Sequence, residues 1–125
     1  MMDKAARRNA REFGRRAEEQ TAAWLETRGY RILERNYRTR VSEADIVALS
    51  GGTLAFIEVK ARSGSAYGLP CEAVTPRKQA KVAHAAQSWL YAHDMLDAPV
   101  RFDVIEVYPG RIRHIRNAFE APAAA

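Results

Sequence analysis

Cysteine is almost missing from this chain: Cys71 is the only one in 125 residues. No disulfide can form within it, and the composition fits a reducing compartment. In its loop, with no histidine pattern around it, Cys71 is expected to be inert. Long apolar runs are missing too. No stretch approaches the roughly 20 residues that cross a bilayer. The basic start, Lys4 to Arg16, leads into no hydrophobic signal core. The expectation is a cytoplasmic protein with no membrane partner. Histidine is scarce and scattered: His84, His93 and His114 lack ligand spacing and are expected at the surface or the edge of the core, which argues against zinc. No zinc finger, recognition helix or aromatic nucleotide-reading run is present, so reading of base sequence is not expected. There is no internal repeat and no linker. The length suits one domain over 1–120, with 121–125 a loose tail.

Acidic residues are the scarcer charge, 15 against 20 Lys and Arg, for a net charge of +5. That balance favours a polyanionic partner. Arginine greatly outnumbers lysine, and its planar fork matches phosphate geometry. The basic residues fall into three groups: Lys4, Arg7, Arg8, Arg11, Arg15 and Arg16; then Arg31, Arg35, Arg38 and Arg40; then Arg111, Arg113 and Arg116. Arg7, Arg8, Arg11 and Arg38 are candidate backbone contacts to nucleic acid, DNA ahead of RNA, in a structure-selective or nonspecific mode. A homodimer stays open.

One short hairpin carries the chemistry. Gly51-Gly52 suits a two-residue type I′ turn, which requires positive φ. With those glycines at the turn, Ser50 opposes Thr53, and every opposed pair sums to 103. Asp45 then faces Glu58, and Glu43 faces Lys60. Directly opposed side chains share a sheet face with Cβ atoms about 5 Å apart. Two carboxylates at that distance repel by about 3 kcal/mol at an effective dielectric of 20. A cation or a shared proton is the expected relief. On the same face lie Val47, Leu49, Leu54 and Phe56; on the other lie Ala44, Ile46, Ala48, Ala55, Ile57 and Val59. A strand pair apolar on both faces is central in its sheet. The competing reading makes Glu43–Lys60 and Asp45–Lys60 plain cross-strand ion pairs, which leaves Glu58 without a partner.

The remaining elements place the other candidates. A helix is predicted over 4–28, with Phe13, Ala17, Thr21 and Trp24 along its buried stripe and Gly29 ending it. Glu18 borders that stripe, whereas Glu19 belongs to the solvated face, where Arg15 can reach it. Gly14 leaves room for a close neighbour. Tyr30 to Tyr37 reads as a strand, and the hairpin strands follow at 43–50 and 53–60. A loop with Gly64, Gly68 and Pro70 leads to Thr75-Pro76, an N-cap with proline at the first helical position. The second helix runs to about His93, burying Val82, Ala86, Trp89 and Leu90. Lys78 and Gln79 open it and are candidates to face the site. Phe102 to Tyr108 is a strand, and Pro109-Gly110 turns into a short basic one. Asp103 is expected to make a structural hydrogen bond. The order is αβββαβ with an added ribbon.

Asp45 followed by Glu58-Val59-Lys60 on the next strand resembles the PD-(D/E)xK nuclease core. More narrowly, the chain resembles the YraN-like family of uncharacterised bacterial proteins, related to archaeal Holliday-junction resolvases. The matching residues are Gly14, Glu18, Ala22, Leu25, Gly29-Tyr30, Arg35-Asn36-Tyr37-Arg38, Glu43, Asp45, Phe56, Glu58-Val59-Lys60, Arg62, Gly68, Lys78, Ala86, Leu90 and Arg101-Phe102-Asp103-Val104. The chain departs from the family pattern at Ser42, where glycine is usual, and at Ala44, where a larger aliphatic is usual. The resemblance implies an α/β fold of restriction-endonuclease-like type, a mixed central sheet flanked by helices. It also implies an endonuclease that hydrolyses phosphodiesters with Mg²⁺ or Mn²⁺, on DNA and within that on branched DNA. Asp45, Glu58 and Glu18 are then the carboxylates of the metal site, with the Val59 carbonyl a further ligand. Mg²⁺ is usually held by one or two carboxylates plus waters and substrate phosphate. Lys60 lies on the face of Glu58, where its ammonium can orient the water and stabilise developing charge. Arg62 repeats that face and suits a phosphate. The alternative is a nucleic-acid-binding module that keeps this fold and cuts little.

Overall fold

The computed structural model describes residues 3–62 and 74–121. Gly64, Gly68, Pro70 and Cys71 of the expected loop, and the tail from residue 122, lie outside the described residues. The elements are α1 (Lys4–Thr27), β1 (Arg31–Arg38), β2 (Glu43–Ser50), β3 (Thr53–Ala61), α2 (Pro76–Ala92), β4 (Val100–Tyr108) and β5 (Arg111–Ile115). This is the predicted order with its added ribbon, a mixed α/β fold around one five-stranded sheet.

Local chemistry sets the helix ends. The Asp3 carboxylate accepts a hydrogen bond from Ala6 N at 2.7 Å, satisfying one free donor of the first turn of α1. At the other end, Gly29 N donates to Glu26 O and Tyr30 N to Leu25 O. Gly29 takes φ +86° there, the left-handed cap that glycine adopts without a Cβ penalty. α2 begins at the Thr75 cap, with proline in its first turn, and ends in the same double-bonded way, Met95 N reaching Leu90 O.

The strands lie in the order β1-β2-β3-β4-β5, with β3 at the centre. It runs antiparallel to β2 and parallel to β4, and the crossover between β3 and β4 carries α2. Gly51 and Gly52 have φ of +57° and +83°, the turn expected from the sequence. The pairs Ile46–Ile57, Val47–Phe56, Ala48–Ala55, Leu49–Leu54 and Ser50–Thr53 hold the predicted register.

Each face of the sheet has its own apolar core. Ala17, Leu25, Ile46, Ala48, Ile57 and Ile105 pack on the α1 side. Val47, Leu54, Phe56, Val82, Trp89 and Phe102 pack on the α2 side, where Phe56 meets the edge of Trp89. Each fully buried valine, leucine, isoleucine or phenylalanine among them contributes about 1.5–3 kcal/mol.

Two expectations are corrected. Ala44 packs with Val47 and Phe56 on the α2 side, not with Ile46. Strand alternation therefore breaks around Asp45, next to Asn36 of β1, which sits at φ +54°. Phe13 is 46% exposed, because the first half of α1 reaches past the sheet and meets no other described element to bury against; the buried residues of the helix begin at Ala17. Around Gly14 no described atom lies within 4 Å of where a Cβ would stand, so the space expected there is open and no described residue fills it.

Candidate functional site

Asp45 and Glu58 lie just beyond the last paired positions of the β2–β3 hairpin, Ile46 and Ile57. There the Asp45 carboxylate replaces a rung of the ladder. Its Oδ2 accepts a hydrogen bond from Val59 N at 2.8 Å, which holds it against β3 beside Glu58. The Asp45 carboxylate stands close enough for its charge and hydrogen-bonding capacity to favour the protonated form of Glu58. Glu58 is 1% exposed. Burial first, then the hydrogen bond and negative charge of Asp45, push its pKa up to about 9. Glu58 therefore holds its proton more tightly than an ordinary carboxyl group. Glu58 Oε1 is buried and accepts no hydrogen bond from the described residues.

The nearest cation comes from the first turn of α2. Lys78 Nζ lies 3.5 Å from Glu58 Oε1 and donates to Glu43 Oε1 at 2.9 Å. Burial works against its charge, but Glu43, Glu58 and Asp45 outweigh that and hold its pKa above the ordinary value. Glu43 titrates below the usual carboxylate range, chiefly through its bond to Lys78, with burial opposing and Arg38 and Lys81 adding to the effect. The expected opposition of Glu43 to Lys60 is replaced by this pairing, with Arg38 Nε at 3.7 Å on the other carboxylate oxygen.

From the opposite face, α1 brings Glu18. Burial and then the charge of Asp45 raise its pKa, against the pull of Arg35, Arg38 and Asn36. Its Oε1 is also buried without a hydrogen bond. Among the described residues, however, no three of His, Cys, Asp and Glu converge into a ready chelate. The geometry is a pair, Asp45 and Glu58, with Glu18 acting on it through space.

Lys60 is half-buried, and its positive charge bears on Glu58. Among the described residues no hydrogen bond or ion pair ties it down. Arg62 is committed elsewhere: its Nε and Nη2 reach Glu106 Oε2 at 3.4 and 3.3 Å. Gln79 turns back on its own loop, donating to Val74 O at 3.1 Å. Arg7, Arg8 and Arg11 stand exposed on the part of α1 that overreaches the sheet. Asp103 makes the structural contacts expected of it, holding Arg101, His114 and the Asn117 N–H. His114 lies inside against Trp24 and Tyr30, its side chain only 7% exposed.

Two groups escaped the sequence reading. Glu106 is fully buried on β4, beside Lys60 in register, and draws Arg62 and Arg113 to it. An acid inside the apolar run from Phe102 to Tyr108 was the available signal. The second is a clasp: Thr39 Oγ1 accepts the N–H groups of Val41 and Ser42, and Ser42 Oγ bonds His84 Nδ1 of α2 at 2.9 Å. Nothing in the sequence links residues 42 positions apart in this way.

The comparisons agree with one another. Residues 17–107 match the family described as Uncharacterised protein family UPF0102. A UPF0102 protein of Geobacter sulfurreducens is 50% identical over 113 residues, covering 86% of this chain and 88% of that protein. One from Symbiobacterium thermophilum is 45% identical over 117 residues, covering 90% and 99%. One from Persephonella marina is 39% identical over 107 residues, covering 86% and 92%. No described helix is long and apolar enough to cross a membrane.

Proposed function

The chain belongs to the uncharacterised protein family UPF0102, and from its site we propose that it is a divalent-metal-dependent nuclease of the PD-(D/E)xK type. Its substrate is DNA, with branched DNA of the kind junction resolvases cut as the first choice. One observation carries the reading: Asp45, held by Val59 N, and the buried Glu58 stand together on adjacent strands, where each disfavours the other's charge. Such pairs are costly and cluster at functional sites.

The donor set fits a hard cation. It offers carboxylates, and the buried Oε1 atoms of Glu58 and Glu18 lack hydrogen bonds. Asp45 and Glu58 would hold Mg²⁺ or Mn²⁺, with Glu18 and the Val59 carbonyl as additional donors. A bound ion supplies charge relief at phosphorus and a water of lowered pKa. Lys60 contributes the rest from its own position. Its ammonium can orient the attacking water by hydrogen bonding to it, and can offset charge on the phosphate oxygens as the P–O bond to the leaving strand breaks. Lys78 keeps the carboxylates in place in the absence of the ion, and is then a phosphate contact together with Arg38. The exposed Arg7, Arg8 and Arg11 suit the more distant backbone.

A second reading has an observation of its own. Lys78 already sits beside Glu58, and among the described residues no third carboxylate converges, as in a nucleic-acid-binding module that does not cut. Cleavage of linear, flapped and four-way DNA in Mn²⁺ separates the two. The nuclease reading expects cleavage that Glu58→Ala abolishes, and Lys60→Ala losing most cleavage while keeping most DNA affinity. Normal cutting by Lys60→Arg, or no cutting of any substrate by the unaltered protein, would leave the binding module.

A further inference from the structure

Between the β1–β2 turn and α2 lies a second polar feature, a cavity of about 280 Å³. Three cations line it, Arg38, Arg40 and Lys81, with Thr39, Ser42 and the single carboxylate of Glu43. That carboxylate is already engaged, through Oε1 by Lys78 and at 3.7 Å by Arg38. Arg40 makes no ion pair or hydrogen bond among the described residues, and Lys81 is exposed and acts on Glu43 only through space. Like charges gathered in a concavity repel, and an anion relieves them.

The turn that presents these cations is firmly built. Thr39 Oγ1 accepts from Val41 N and Ser42 N, Thr39 N donates to Ser42 O, and Ser42, 6% exposed, reaches His84 of α2. Ordering the backbone in advance lowers the entropic cost of binding. The pocket also has a fixed relation to the carboxylate pair. Its Glu43 wall stands two residues before Asp45 on β2, about 7 Å along the strand.

We propose that this pocket takes a backbone phosphate of the bound nucleic-acid strand, one or two nucleotides from the phosphate at Asp45 and Glu58. It thereby fixes the strand's position over the site. The inference rests on the nucleic-acid reading above but not on cleavage, since binding alone fills the pocket. Arg40 and Lys81 supply the charge, and the hydroxyl-locked turn supplies the shape. Arg38 can turn from Glu43 to the phosphate, because Glu43 keeps Lys78.

The test is binding of fluorescent DNA without divalent metal over a range of salt. Each lost phosphate contact should lower the slope of log affinity against log salt by about one. Arg40→Ala/Lys81→Ala should lower it by one to two, with an unchanged melting temperature because both side chains are exposed. Arg40→Gln alone should lower it by about one, and Arg40→Lys should leave it intact. A scan of DNA carrying one neutral methylphosphonate should find a position that weakens the unaltered protein about tenfold and the double variant not at all. An unchanged slope in the double variant, or no such position, overturns the pocket and leaves the nucleic-acid reading standing. So does inorganic phosphate that fills the pocket without displacing DNA, which marks a small-anion site. Failure of the unaltered protein to bind any DNA or RNA at low salt overturns both together.

Discussion

Glu58 and Asp45 define the energetics at the scale of single residues. A carboxyl whose folded pKa stands near 9 binds its proton more tightly in the native state than in the unfolded chain. Its contribution is therefore fully favourable only below the unfolded value near 4.5, and is lost as pH rises towards 9. At pH 7 the penalty is on the order of 3 kcal/mol. Glu58→Gln removes the titration while keeping the shape and a donor towards Asp45. In the metal-free protein it should raise the urea midpoint at pH 8 more than at pH 5, flattening the pH dependence of stability. Equal effects at the two pH values would place the proton elsewhere. The carboxylate pair was legible from residue numbers alone, since the Gly51-Gly52 turn sets the register as far as Ile46 and Ile57. The position of Ala44 was not. Asp45 takes its bond from Val59 N, and a side chain substituting for a backbone rung leaves no mark in the alternation of apolar residues.

Two elements behave differently from their neighbours. The first half of α1, residues 4–16, extends for about 20 Å at the helical rise per residue, and it buries none of its side chains. Arg15 and Arg16 there are paired with Glu12 and Glu19, while Lys4, Arg7, Arg8 and Arg11 have no ion pair among the described residues. Neutralising Arg7, Arg8 and Arg11 together should lower the salt slope of DNA binding by about three, one per contact. Melting temperature should hardly move, because surface substitutions of this kind usually change stability by about 0.5 kcal/mol or less. A flat response in the binding titration would make the arm irrelevant to nucleic acid. In the sequence, Phe13 at helical spacing from Ala17 read as buried; periodicity reports which face is apolar, not whether a partner extends far enough to cover it. In β4 the opposite holds. Glu106 is fully buried and serves Arg62 and Arg113, so Glu106→Ala should cost about 1–3 kcal/mol by chemical denaturation, mostly from the lost packing and hydrogen bonds, since solvent screens both partly exposed guanidinium groups. Glu106→Gln, of the same shape, should cost less. A loss below about 1 kcal/mol for Glu106→Ala would show that solvent already satisfies those arginines.

The candidate site belongs to the whole molecule, because its groups arrive on four elements: Glu18 from α1, Asp45 from β2, Glu58 and Lys60 from β3, and Lys78 from α2. No unfolded chain holds them together, so an ion bound there binds only the native state and stabilises it by mass action. At a free concentration a hundredfold above its dissociation constant, Mn²⁺ should add about 2.7 kcal/mol. For a chain of this size that is a rise of about 10 °C in melting temperature. The same ion must displace the proton that Glu58 keeps, so affinity should increase from pH 6 to pH 8, with proton uptake by the buffer visible in calorimetry. Asp45→Asn/Glu58→Gln should bind no Mn²⁺ and gain nothing on heating in its presence. If the double variant gained as much as the unaltered protein, the ion would be elsewhere. If neither gained, the two carboxylates would be a stored proton with no metal to exchange it for, and the binding pocket and basic arm would remain as the chain's working surfaces.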